Sequence, residues 1–179
     1  MEETIKRLEN IFKILGKEKG KRENLWIIET DKESLHAVLS YLKDNESFRH
    51  LALLSCVDWI EDNKFQLSYI LWSYQRRENL IVKIFIERDA PEFKTIMNLF
   101  PQAEVYEREI RELYGVNFEG NPTQDEEFVL EDWEELPPMR RDFDTLKYSS
   151  KMYGDRDSEI KKTNIRKIIS DYTDEWRRK

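Results

Sequence analysis

Three apolar segments in close succession, between residues 51 and 86, constrain the fold of this 179-residue chain more than any other feature. The first, 51–59, is a nearly continuous apolar run and predicts a buried strand. Polar turns at 61–64 and 75–79 separate it from two segments in which apolar residues recur at every second position, as in strands with one buried face. Those positions are Phe65, Leu67, Tyr69 and Leu71 in the second segment and Leu80, Val82, Ile84 and Ile86 in the third. Connections this short favour an antiparallel meander.

Helical periodicity precedes the meander. Apolar residues recur at helical spacing in 2–15 and again in 31–43, so both segments are predicted helices. A short strand is predicted between them at 25–28. Thr30 and Glu33 have the spacing of a capping box at the start of the second helix.

Two more helices are predicted after the meander, a short one at 91–100 and a longer one at 104–114. Gly115 follows the longer helix at the position where glycine commonly ends helices. Glu107 and Arg111 stand one turn apart in the order that favours an ion pair. These elements predict an α+β fold in which helices pack on one face of a mainly antiparallel sheet.

The last part of the chain has a different character. Residues 117–142 show little periodicity and predict a long irregular segment. We therefore expect one domain at 1–143 and a C-terminal docking arm at 144–179, in which about twenty irregular residues precede a terminal helix. The apolar stripe of that helix comprises Ile165, Ile168, Ile169, Tyr172 and Trp176, and its other face carries Lys161, Lys162, Arg166 and Lys167. Such a helix suits a partner's groove or an anionic membrane surface, the alternative being that it folds back onto the sheet.

Charge is abundant and unevenly distributed. Charged residues make up 37% of the chain and the net charge is −7, but residues 104–142 hold 13 acids and 4 bases, whereas 143–179 hold 7 acids and 10 bases. The acidic middle argues against nucleic acid as a partner, because phosphate binding needs clustered Lys and Arg. The high charge, with a single cysteine, indicates either a well-solvated surface or adaptation to heat.

Residues that hold metals or cofactors are scarce. Cys56 is the only cysteine, lies in an apolar run and predicts a small core residue in a reducing compartment. His36 and His50 have no metal-ligand spacing with any other His or Cys, and the five glycines form no nucleotide-binding loop. We expect no cofactor in this chain. Without a signal-peptide core or an apolar run near ~20 residues, we expect a soluble chain that reaches a membrane only through partners.

Three carboxylates, Glu107, Glu109 and Glu112, cluster on the predicted helix 104–114. A pair of carboxylates is the catalytic requirement of a glycosidase. Alternation with arginine favours an ion-pair lattice instead, and a carboxylate-based hydrolase is the weakest of the functional alternatives.

The most specific signal is a pair of motifs in fixed order. Residues 105–122 read VYEREIRELYGVNFEGNP, and Asp132–Trp133 and then 138–143, PMRRDF, follow at a short distance. Both stretches resemble the signature of the C-type (30-kilodalton-type) subunits of complex I and of the membrane-bound [NiFe] hydrogenases related to it. The resemblance covers about residues 25–143.

Two departures from the family pattern are visible. The family's histidine after Gly120 is Asn121 here, and an arginine-containing stretch that makes contacts within the family's assemblies is replaced by 123–128. The variant at 109–116, EIRELYGV, looks more like the hydrogenase branch than the respiratory quinone branch.

The resemblance implies a structural subunit with no catalytic centre of its own. It implies binding to a hydrogenase-type large subunit and a small iron–sulfur subunit, which would carry the [NiFe] site and the iron–sulfur clusters, and an indirect connection to the membrane arm. The chain would brace these subunits peripherally, at the cytoplasmic face of the cell membrane. The alternatives are the same role in a complex I-like dehydrogenase and a stand-alone acidic binding module.

The residues expected to serve assembly follow from the matched motifs and the terminal helix. Arg108 and Glu109 are expected to reach a neighbouring subunit; the alternative is that Glu107, Arg108 and Glu109 pair with Arg140 and Arg141 within the chain. The complete set is Glu107, Arg108, Glu109, Tyr114, Gly115, Arg140, Arg141, Asp142, Tyr172 and Trp176.

Overall fold

A five-stranded sheet is the central element of the computed structural model, which describes residues 1–154. The strands are β1 (Ile14–Lys19), β2 (Leu25–Thr30), β3 (His50–Trp59), β4 (Lys64–Ser73) and β5 (Glu78–Glu87). Their order across the sheet is β1-β2-β5-β4-β3. The β3–β4–β5 meander is antiparallel, as predicted, whereas β2 lies parallel to β5 because α2 connects it to the meander.

Three helices, α1 (Glu2–Ile11), α2 (Leu35–Asn45) and α3 (Ala103–Tyr114), pack against one face of this sheet. The strands turn every second residue toward them, and the buried positions form one core with the apolar stripes of the helices. Tyr69 at the centre of β4 is fully buried in this core. The α+β architecture predicted from the sequence is confirmed.

Part of the N-terminal prediction is wrong. The first helix ends at Ile11 rather than near residue 15, and residues 14–19 form β1. The Thr30 hydroxyl donates to the Lys13 carbonyl (2.8 Å), so it ties these two strands together and is not a helix cap. The next helix begins at Leu35, after a turn in which the Ser34 amide donates to Asp31.

The helix predicted at 91–100 is also wrong. Glu92–Lys94 form a short strand, β6, which pairs in parallel with β7 (Asn117–Glu119). β7 lies within the segment that was predicted to be irregular. Pairing between strands more than 20 residues apart leaves no local periodicity, so these two strands override the helical spacing of the apolar residues at 91–100.

Residues 1–143 form one structural unit, and a second begins at Asp144. In the second unit the structure shows helix α4 (Thr145–Tyr153), whose N-terminal Lys147 amide donates to the Asp144 side chain (2.9 Å). The expectation of about twenty irregular residues after Phe143 is therefore wrong. The predicted terminal helix lies outside the described residues, as do Tyr172 and Trp176.

Candidate functional site

The carboxylate of Glu107 connects α3 to the segment that follows β6. It is fully buried and accepts hydrogen bonds from the Thr95 hydroxyl (2.6 Å), the Ile96 amide (2.9 Å) and Asn121 Nδ2 (3.0 Å). Burial raises the pKa of this carboxyl, and the three hydrogen bonds oppose that rise. The predicted ion pair with Arg111 is wrong because Glu107 lies on the buried stripe of the helix, between Ala103 and Ile110.

Asn121 takes up the position of the family's histidine and joins the same network. Its side chain is almost fully buried and donates to the Glu104 carbonyl (3.2 Å) as well as to Glu107, and its Oδ1 accepts from the Thr123 amide (3.0 Å). The asparagine therefore fixes the turn after β7 to α3.

The outward side of α3 holds the acidic loop, residues 123–136. Arg111 pairs with Asp125 (3.2 Å). Glu112, which was not among the residues expected to serve assembly, accepts from three successive backbone amides, those of Phe128 (2.6 Å), Val129 (2.9 Å) and Leu130 (3.1 Å). Three amides converging on one carboxylate fix the path of the loop at this point.

Arg108 also faces the acidic loop. It pairs with Glu126 (3.2 Å), and its guanidinium lies 5.5 Å from the centre of the Phe128 ring. Arg108 therefore has partners within the chain, and its contact with a neighbouring subunit stays a prediction. Glu109, by contrast, is half-buried and makes no hydrogen bond or ion pair with the described residues.

The C-terminal end of α3 anchors the chain as it returns from the acidic loop. Gly115 ends the helix in the left-handed region at φ +81°, and a Cβ at this position would lie 3.2 Å from Pro137 Cγ. The Met139 amide donates to the Leu113 carbonyl (3.0 Å). Tyr114 packs edge-on against Phe65 with ring centres 6.0 Å apart, so both predicted residues serve the joint between helix, loop and sheet.

Three charged side chains, Asp58, Arg88 and Asp142, form an ion-pair clamp between the sheet and the PMRRDF motif. Arg88 holds Asp58 with two hydrogen bonds (2.8 and 3.1 Å) and Asp142 with one (2.6 Å). The Asp58 carboxylate also accepts from the Arg141 amide (2.8 Å). The clamp therefore fixes the end of the first structural unit to strands β3 and β5.

The clamp sets the protonation of its acids. Burial opposes ionisation of Asp58, but the hydrogen bonds from Arg88 and the Arg141 amide outweigh it, so the pKa of Asp58 lies below its ordinary value. The pKa of Asp142 is lowered in the same way, by Arg88 and Arg140 acting against burial. All three groups are therefore charged at neutral pH.

The two arginines of the PMRRDF motif have separate partners. Arg140 contacts Asp142 (3.3 Å), with its guanidinium 5.5 Å from the centre of the Phe65 ring, and Arg141 pairs with Glu61 (2.6 Å). The alternative that Glu107, Arg108 or Glu109 pairs with these arginines is wrong, since the acids that pair with them are Asp142 of the same motif and Glu61 in the turn after β3.

Asp58 and Arg88 were missed as site residues, although the sequence holds a signal for both. On β3 the buried alternation runs from Leu54 through Cys56 to Asp58, and Arg88 extends the even-numbered buried positions of β5 by one step. Opposite charges at inward positions near the ends of β3 and β5, the two strands that flank β4, predict a buried pair.

The remaining candidates are structural. Cys56 is buried in the core, and burial raises the pKa of its thiol, which disfavours the reactive thiolate. His36 Nε2 lies 2.9 Å from the Thr95 carbonyl oxygen, and the ring stacks on Phe93. Within residues 1–154, no three His, Cys, Asp or Glu side chains form a group that could hold a metal ion. No helix in the same residues has the length and apolar character that crossing a membrane requires.

The family model described as "Respiratory-chain NADH dehydrogenase, 30 Kd subunit" matches residues 28–149. The C subunit of NADH-quinone oxidoreductase from Moorella thermoacetica is 32% identical over 143 residues, which are 80% of this chain and 95% of that protein. The C subunit of F(420)H(2) dehydrogenase from Methanosarcina mazei is 32% identical over 64% of this chain and 72% of its own length.

A solved structure is similar over nearly the whole chain. It is a chain of the membrane-bound sulfane sulfur reductase, described as an archaeal respiratory membrane complex, with a TM-score of 0.80 and 30% identity over 92% of this chain and 98% of that one. The chain belongs to the complex I 30-kilodalton (C-type) family, as the motifs at 105–122 and 138–143 predicted.

Proposed function

We propose that this chain is a structural subunit in the peripheral arm of a membrane-bound respiratory complex, where it braces a hydrogenase-type large subunit against a small iron–sulfur subunit. The observation that carries the proposal is the set of contacts around α3. Its charged side chains hold the acidic loop, and Glu107 is buried on its inner side. Asp142 of the PMRRDF motif holds the end of the first structural unit to the sheet. Such an arrangement supports rigidity, which keeps neighbouring electron carriers at fixed distances.

Two chemistries are compatible with this role. The EIRELYGV variant favours a complex that makes or oxidises hydrogen at a [NiFe] site. The similarity to a chain of the sulfane sulfur reductase along almost its full length favours a complex that reduces sulfane sulfur. In both, this chain contributes no reacting group and lies at the cytoplasmic face of the membrane.

Affinity purification of the tagged chain from detergent-solubilised native membranes tests the proposal. We expect a large redox subunit and an iron–sulfur subunit to co-purify in fixed proportion. Nickel and hydrogen-dependent dye reduction in the purified complex would identify the hydrogenase branch, and sulfane sulfur reduction without nickel the other branch. A monodisperse monomer free of redox partners would overturn the proposal in favour of a stand-alone binding module.

A further inference from the structure

The face of the sheet opposite the helices carries an apolar ridge. The strand register places Leu53, Ile70, Ile81 and Ile27 side by side on β3, β4, β5 and β2. All four are partly exposed, and Leu53 retains 40% of its accessible surface. At a strand spacing of about 4.8 Å the ridge extends roughly 14 Å across the sheet.

The sequences of the four strands indicate that this end of the sheet is covered on both sides. Strands that face water on one side alternate polar with apolar residues, whereas strands buried on both sides are continuously apolar. Here 25–28, 51–54, 69–72 and 80–82 are continuously apolar, and the register makes them neighbours.

Alternation returns one step further along the same strands. The adjacent row on the ridge side of the sheet consists of Ser55, Ser68, Lys83 and Glu29, again as registered neighbours. The sheet is therefore apolar on both faces where the ridge lies, and the polar row borders the ridge on one side.

Nothing in Met1–Phe143 supplies the second cover. The buried residues of α1, α2 and α3 belong to the core on the opposite face. Ridge residues do not form part of that core. An exposed apolar area with a polar border is typical of a protein interface.

We propose that the ridge is the docking surface for another subunit of the respiratory complex, which places an apolar surface on it and meets the polar row with hydrogen-bonding groups. This inference rests on the proposed function, and it assigns one contact between this chain and another subunit to the outer face of the sheet.

Electrostatics favours a partner subunit over two other occupants, a membrane surface and a second copy of this chain. A membrane surface is disfavoured because the chain carries a net charge of −7, and anionic lipid would repel it. A second copy, packed sheet on sheet, would extend past the ridge and bury Lys83 and Glu29 of both copies, which is costly. A partner subunit that covers the ridge and ends at the polar row avoids both the repulsion from anionic lipid and the burial of these charges.

The test uses the tagged full-length chain in its native complex. Leu53→Lys places a charge on the ridge, and Val105→Lys, on the similarly exposed Val105 of α3 (45%), is the matched control. We expect Leu53→Lys to lower the yield of co-purified redox subunits about tenfold and Val105→Lys to leave it near the wild-type level. Unchanged melting of the isolated Leu53→Lys chain shows that folding is intact. Equal yields with the two variants would overturn the docking surface.

A second measurement does not depend on a substitution that weakens binding. A photo-crosslinking amino acid at position 81, in the middle of the ridge, is activated in the assembled complex and the products are sequenced by mass spectrometry. A crosslink to another subunit supports the proposal. A crosslink to residues 155–179 of the same chain, to a second copy or to lipid overturns it, as does a complex that assembles without crosslinking. These results leave the proposed function intact, whereas failure to co-purify any redox subunit refutes that function itself.

Discussion

At the scale of single residues, the Asp58–Arg88 pair is the buried ion pair on which the clamp depends. The two side chains are 1% and 8% exposed, so both lose most of their hydration on folding. Their contacts with each other and the hydrogen bond from Arg88 to Asp142 replace the hydration that burial removes. Loss of either partner is therefore strongly destabilising.

Arg88→Ala should therefore lower the free energy of unfolding by about 3 kcal/mol, because it leaves the Asp58 carboxylate buried and uncompensated. Arg141→Ala is the control, since the Arg141–Glu61 pair is more than half exposed at both partners and exposed pairs add little. Urea unfolding of both variants measures the difference. Equal stability of the two variants would show that the clamp does not act as a buried pair.

The same pair predicts a dependence on pH. Because the folded-state pKa of Asp58 lies below its ordinary value of 3.8, the stability it contributes is complete above that pH and is lost as the pH falls through the lower, folded-state value. The stability advantage of the wild-type chain over Asp58→Asn should be constant from about pH 6 to 7 and shrink below about pH 4. Urea titrations at each pH measure this difference, and an advantage that persists unchanged at pH 3 would contradict the assignment.

At the scale of elements, helix α3 holds a different part of the chain on each of its two sides. Glu107 connects its inner side to the segment after β6, and Glu112 holds the acidic loop on its outer side. The helix is thus the element to which the irregular part of the chain is attached.

Glu112→Ala should release the acidic loop without unfolding the helix. The amides of Phe128, Val129 and Leu130 lose their shared acceptor, so their hydrogen exchange should accelerate by about tenfold or more, as expected when a charge-assisted bond is lost. Glu109→Ala, on the same helix, is the control and should leave these amides unchanged. Amide exchange is followed by NMR in both variants. Unaltered exchange of the three amides in Glu112→Ala would mean that other contacts hold the loop.

Elements with a local signal were predictable, and elements that depend on distant partners were not. The alternation in β4 and β5 and the stripe of α3 ending at Gly115 are visible in consecutive residues. β6 exists because β7 pairs with it, and β1 because it pairs with β2, so neither shows in its own sequence. The site follows the same rule. The motif predicted Arg140, Arg141 and Asp142. Asp58 and Arg88 were missed, because only the fold brings them to that motif.

At the scale of the whole molecule, the core and the clamp both lie within residues 1–143. Among the residues that the structure describes, every buried core residue falls between Ile5 and Phe118, and the clamp closes with Asp142. From this distribution we expect the first structural unit to fold without residues 155–179.

Deletion of residues 155–179 should therefore shift the melting temperature by less than about 3 °C, which corresponds to about 1 kcal/mol for a domain of this size. The same deletion should weaken binding to the large or small redox subunit, because aromatic residues such as Tyr172 and Trp176 are common anchors at interfaces. The full-length double variant Tyr172→Ala/Trp176→Ala is the matched control, since it removes the anchors while keeping the chain length, and it should reproduce the loss of binding. Calorimetry of the isolated chains and co-purification from membranes give the two readouts. If the truncated chain melts many degrees lower, the terminal segment belongs to the core and is not a docking arm.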